Sequence, residues 1–149
     1  MKYFTKKWWV SGGETTDLVD EYNSYIKSVK KSLPDGVCQI LDEHTLHDAL
    51  IIHISVNLEN RDVHLKFTGW DNKFENRVNY MIGLRDVGII DIVSPDGINA
   101  TSGIDFGDVG YYEFEVLQEG IIELRMIFSS YVELTVEFKS LDLQCSNLD

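Results

Sequence analysis

The sequence is poor in several features that would assign it to a specialised class. It has 2 cysteines and 2 prolines in 149 residues, which excludes a disulfide-stapled scaffold and a proline-rich chain. No run of about 18 apolar residues occurs, so we expect no membrane contact through a spanning helix. Basic residues are also scarce. There are 13 Lys and Arg against 25 Asp and Glu, a net charge of −12, which argues against nucleic-acid binding.

The remaining composition is that of a globular protein. Hydrophobic residues make up 44% of the chain and aromatic residues 11%, enough for a single domain over residues 1–149 with a core of its own. The start of the chain lacks the apolar stretch of a secretion signal, so we expect a cytoplasmic protein with reduced thiols. Phosphate-binding glycine loops, nucleophile elbows and zinc-protease motifs do not occur, which predicts no cofactor and favours a non-enzymatic role.

One helix is predicted near the start of the chain. Apolar residues recur at steps of three and four from Leu18 to Leu33, with acidic residues in the first turns and lysines in the last. Pro34, followed by Asp35 and Gly36, is expected to end this helix.

Alternating apolar residues predict strands in the rest of the chain. Residues 49–58 and 63–67 form a predicted hairpin in which Leu58 pairs with Val63. The pattern therefore indicates an α+β fold, with one N-terminal amphipathic helix packed on a mainly antiparallel, meander-like β-sheet. Further strands are predicted over 78–84, 112–116, 122–128, 132–138 and 141–145, with short ones starting at Ile89 and Ile98.

A row of glutamates is the first candidate site. The predicted registers place Glu115 opposite Glu123, and Glu123 opposite Glu137, on the sheet face that points away from the core. Glu113 lies beside this row, next to Arg125. One interpretation is an acidic face that binds a basic protein partner, flanked by Tyr111 and Tyr131. The other is a solvated sheet face without a partner.

The aromatic opening of the chain is the second candidate. Trp8 and Trp9 are adjacent and follow Tyr3 and Phe4. If exposed, the two tryptophans would anchor a partner, and if buried they would pack in the core.

A histidine cluster offers an alternative function. His44 and His47 are three residues apart and Asp48 follows directly, a set that could ligate a metal ion in a metal-binding protein or metal-dependent hydrolase. The competing interpretation is that His47 and Asp48 hydrogen-bond locally where the chain enters a strand.

The start of the chain, MKYFTK followed by Trp8, resembles that of a bacterial family of small acidic proteins of unassigned activity. The motif LHDA at residues 46–49, before an apolar strand, is also similar, as is the C-terminal run from Tyr112 to Phe138. The family is loosely similar to immunity-type proteins, so the resemblance implies an inhibitor of a basic toxin. It supplies no catalytic residues.

Overall fold

A computed structural model describes residues 1–12, 16–95, 105–118 and 120–148. Within these residues, three α-helices and a short 3₁₀ helix precede eight strands. The helices are α1 (Lys6–Val10), α2 (Thr16–Val29), the 3₁₀ helix Lys30–Ser32 and α3 (Asp35–Glu43). The strands are β1 (Leu50–Asn57), β2 (Asp62–Trp70), β3 (Arg77–Arg85), β4 (Ile89–Val93), β5 (Val109–Gln118), β6 (Ile121–Phe128), β7 (Glu133–Phe138) and β8 (Ser140–Asn147).

The strands form two antiparallel sheets of four. Sheet A has the order β1-β2-β3-β8, and sheet B has the order β4-β7-β6-β5. The α+β class and the antiparallel pairing are confirmed. The predicted single meander sheet is wrong in its connections, because β3 leads into β4 and β7 leads into β8 from one sheet to the other.

These two crossings lie side by side at one corner of the fold. The amide of Lys139 donates to the carbonyl of Arg85 at 3.0 Å, and the amide of Gly88 donates to the carbonyl of Glu137 at 2.9 Å. The ladder that joins β3 to β8 thus continues around the corner into the ladder that joins β4 to β7. Strands that bend from one sheet into another commonly make the corners of two-sheet folds.

The core fills the space between the sheets. Alternate residues of β2 and β3 point into it from sheet A, and alternate residues of β6 and β7 point into it from sheet B. Helix α3 adds Val37 and Ile40, both fully buried. It packs on β8 so closely that a Cβ at Gly36 would lie 2.1 Å from the carbonyl oxygen of Leu141, and this position therefore requires glycine.

The helix prediction is confirmed in part. Helix α2 and the 3₁₀ helix occupy the predicted segment, which ends before Pro34. Pro34 also caps the start of α3, which the sequence analysis missed because proline was interpreted only as a stop signal. Proline is tolerated at a helix start, where no amide donor is needed. Helix α1 was missed as well, since it has only five residues.

The predicted β1–β2 hairpin forms with a shifted register. Val56 pairs with Val63 and Asn57 with Asp62, so the pairing is displaced by two residues from the prediction, and a bulge interrupts β1 between Ile51 and His53. The even shift keeps the side chains after the bulge on their predicted faces. Before the bulge the faces are exchanged, because Leu50 and Ile52, predicted to face the core, are exposed and Ile51 packs against the core instead. The strand predicted at Ile89 is confirmed as β4, and the one at Ile98 lies outside the described residues.

Candidate functional site

The acidic row lies on the outer face of sheet B in the predicted register. Glu115 pairs with Glu123 across β5 and β6, and Glu123 pairs with Glu137 across β6 and β7. Glu113 is opposite Arg125 in the neighbouring row. The predicted alignment of these residues is therefore confirmed.

The start of the chain covers most of this face. We call residues 1–10 together with α2 the N-terminal cover. Glu113 is only 1% exposed beneath it. The Glu113 carboxylate accepts hydrogen bonds from three consecutive backbone amides, those of Lys2, Tyr3 (2.9 Å) and Phe4 (3.2 Å). Glu113 is thus committed to holding the cover on the sheet, which leaves it no surface for a partner.

Arg125 neutralises part of the buried charge. Its guanidinium lies 3.0 Å from Glu113 and 2.8 Å from Glu115, and it also pairs with Glu123. The Lys2 ammonium approaches Glu115 from the cover at 2.8 Å. Burial alone would raise the pKa of Glu115, but hydrogen bonds from Lys2 and Arg125 outweigh it and lower that pKa. Three carboxylates, the Arg125 guanidinium and the Lys2 ammonium therefore form an internal charge network.

Two tyrosines of α2 complete the cover at the free edge of sheet B. The Tyr22 hydroxyl accepts a hydrogen bond from the Phe114 amide at 2.7 Å, and the Tyr25 hydroxyl accepts one from the Val116 amide at 2.8 Å. Burial raises the pKa of Tyr22. An exposed edge strand presents unpaired amides that can pair with other chains. The two hydroxyls accept hydrogen bonds from two of these amides, so those amides are paired within the molecule.

The aromatic opening packs against the same face. Trp8 is 9% exposed and contacts Phe4 and Tyr111, at ring-centroid distances of 5.3 and 4.9 Å. Trp9 is half-buried between Tyr111 and Tyr131. Of the aromatic residues considered for partner binding, Trp8 has little accessible surface, whereas Trp9 and Tyr131 keep part of theirs.

One margin of the face lies beyond most of the cover, which reaches it through the Met1 ammonium, 3.4 Å from the Glu133 carboxylate. We call it the β4–β7 strip, in which apolar and acidic side chains alternate across two strands. Ile89 and Val93 are 49% and 50% exposed there. The cross-strand pairs of the strip are Ile89 with Glu137, Asp91 with Thr135, and Val93 with Glu133.

The histidine cluster separates in the structure. His44, at the end of α3, contacts the Tyr80 ring, and its Nε2 lies 3.7 Å from the Cys145 sulfur. His47 turns to Asp48, with Nδ1 and Oδ1 3.0 Å apart. Within the described ranges, no three His, Cys, Asp or Glu side chains are placed to share a metal ion. The local contact between His47 and Asp48 is the one expected at the entrance to β1.

The outer face of sheet A holds a second candidate site, which the sequence analysis passed over. A groove of about 730 Å³ crosses it, with His53, His64 and Lys66 at one end. The predicted pairing of Leu58 with Val63 already implies that His53 and His64 share one face of the hairpin. The sequence does contain an indication of this site, because the two histidines are among the few cationic or potentially cationic residues of an acidic chain.

None of the helices in the described part of the chain is long and apolar enough to cross a membrane. No protein-family model matches the sequence, and no curated protein shows significant similarity to it. The two outer faces of the sheets are therefore the features from which a function can be inferred.

Proposed function

We propose that the protein is a non-enzymatic binding module whose partner is a basic protein, and that this partner docks on the β4–β7 strip. The observation that carries the proposal is the composition of the strip. Two half-exposed aliphatic side chains, Ile89 and Val93, alternate in cross-strand register with three carboxylates, of which Glu133 also pairs with the Met1 ammonium of the cover. Exposed apolar groups supply contact area, and the carboxylates select a cationic surface.

The charge around the strip supports the same partner. The outer face of sheet B carries six carboxylates and one arginine among its described residues. The cover contributes two cationic groups, the Lys2 ammonium at Glu115 and the Met1 ammonium at Glu133, so a negative excess remains on this face. In a chain of net charge −12, a basic partner would be steered towards the molecule and held at this margin. A basic toxin is one such partner, in line with the resemblance to immunity-type proteins.

The test compares two variants with the same change in charge. Asp91→Asn with Glu137→Gln removes two of the three acidic charges of the strip, and Asp17→Asn with Asp20→Asn removes two from exposed acids of α2. Each protein is immobilised and used to recover partners from lysate of the native host at low salt. We expect one basic protein on the wild type and the α2 variant, with recovery by the strip variant reduced about tenfold, as loss of about 1.4 kcal/mol of binding would give.

The association rate of the recovered protein should also fall as salt increases, because exposed charges are screened. Equal losses in both variants would mean that only the overall charge matters, and would contradict docking on the strip. Recovery of no basic protein by the wild type would contradict the proposal as a whole.

A further inference from the structure

The groove on sheet A has a gap in its floor at Gly83. In the register of the sheet, Gly83 lies between His64 of β2 and Asp142 of β8. A Cβ at Gly83 would lie 3.5 Å from Nδ1 of His64, so the imidazole forms the wall of this gap. The missing side chain leaves room for a bound group at this point. Met81, which is 51% exposed, lines the adjoining row.

The β1–β2 end of the groove concentrates groups that bind anions. His53 pairs with Lys66, and Ser55 pairs with His64, in adjacent rows of the same face. Imidazoles, an ammonium and a hydroxyl all donate hydrogen bonds to anionic oxygens. Directly opposed side chains have Cβ atoms about 5 Å apart, so one oxyanion can reach two or more of them.

Negative charge at this end is already compensated. Strands β1 and β2 are described in full and carry one carboxylate, Asp62. It pairs with Arg85 at 2.6 Å, and Arg85 also contacts Asp142 at 3.3 Å. The guanidinium therefore pairs with both carboxylates. The other carboxylate that lines the groove, Asp35, belongs to α3, which packs on β8. In a molecule that repels anions overall, this end of the groove is locally favourable to them.

We propose that the groove binds a small molecule that carries a phosphate or carboxylate group, with its anionic oxygens held by His53, His64 and Lys66. The volume of about 730 Å³ lies within the range of about 300–1,000 Å³ that small-molecule sites occupy. The site is on the opposite sheet from the β4–β7 strip and does not depend on the proposed protein partner.

The test is a titration of ¹⁵N-labelled protein with inorganic phosphate and, separately, with citrate, followed by amide chemical shifts. We expect saturable shifts at Gly83 and Lys66, with the tighter of the two probes identifying phosphate or carboxylate as the preferred group. Lys66→Gln should weaken binding about tenfold, and Lys27→Gln, which removes an equal charge from an exposed position of α2, should leave it unchanged.

A third variant fills the groove and leaves its polar groups intact. Gly83→Val is compatible with the strand, because the added Cβ meets the His64 ring and the end of the Arg85 side chain at ordinary contact distances of 3.5–3.9 Å. It should weaken binding of the same probe about tenfold. Shifts that do not saturate with either probe, or that respond equally to Lys66→Gln and Lys27→Gln, would overturn the proposal.

Discussion

The two outer faces of this molecule differ in what the rest of the chain does with them. The outer face of sheet B carries most of the outward carboxylates, yet the N-terminal cover closes over β5 and β6 and uses Glu113 as its anchor. The outer face of sheet A has fewer charges, and its histidines and Lys66 remain exposed around a groove. The sequence of a strand thus shows which charged residues face outwards. Whether those residues are accessible to a partner depends on how the rest of the chain packs over them.

The largest effect is expected from removing the Glu113 anchor of the cover. Glu113→Gln leaves Arg125 without one of its buried partners and weakens three amide hydrogen bonds. Arg125 keeps Glu115 and Glu123 as partners, so the cost comes from the three weakened hydrogen bonds to a buried charge. Each such bond contributes about 1.5–3 kcal/mol, and weakening all three should cost about 3–5 kcal/mol. We therefore expect a loss of that size in the free energy of unfolding, measured with urea.

The matched control for Glu113→Gln is Asp91→Asn, which neutralises an exposed acid of the same sheet face. Its effect should stay within about 0.5 kcal/mol, as for most surface substitutions. Equal small effects for the two variants would show that the cover is not anchored by Glu113.

A smaller effect is expected at the edge of sheet B. Tyr22→Phe removes the hydroxyl that accepts the hydrogen bond of the Phe114 amide, and it leaves a buried amide unpaired at a cost of about 1–3 kcal/mol. Tyr25→Phe should cost less, because both Tyr25 and Val116 are half-exposed and water can replace the hydroxyl. Urea unfolding of both variants measures the difference, and a larger loss for Tyr25→Phe would contradict this order.

The smallest effect is expected in the dependence of the unfolding free energy on pH. The pKa of Glu115 is lowered in the folded protein from its ordinary value of 4.5, so the unfolded chain takes up this proton first as the pH falls. The stability that ionised Glu115 contributes is complete above pH 4.5 and is lost as the pH drops through the lower folded-state pKa. The difference in unfolding free energy between wild type and Glu115→Gln should therefore shrink over that range. A difference that stays constant from pH 7 to pH 3 would contradict a lowered pKa.

Local patterns predicted much of the fold. The period of the apolar residues located α2 and most of the strands, and alternation fixed which residues of β5, β6 and β7 face outwards. The registers of the glutamate row followed from those patterns and are confirmed. These features depend on neighbouring residues or on short hairpins, which is why one sequence is enough to predict them.

The remaining features depend on contacts between distant parts of the chain. Tyr3 and Glu113 are 110 residues apart, and no local pattern indicates that the amide of one meets the carboxylate of the other. The division into two sheets depends on the corner at Gly88 and Lys139, where the ladder bends. The groove at Gly83 requires β2, β3 and β8 to be adjacent, and β8 is distant from β3 in sequence.

Hydrogen exchange of the Tyr3 and Phe4 amides tests the central claim most directly. Amides near the start of a chain ordinarily exchange fast, unless the segment is tied down. Because both donate to buried Glu113, we expect them to be protected to a degree similar to the Phe114 amide in wild type, and to lose that protection in Glu113→Gln. Exchange of Tyr3 and Phe4 at the rate of an unprotected chain in the wild type would contradict the account, since the acidic face would then be open.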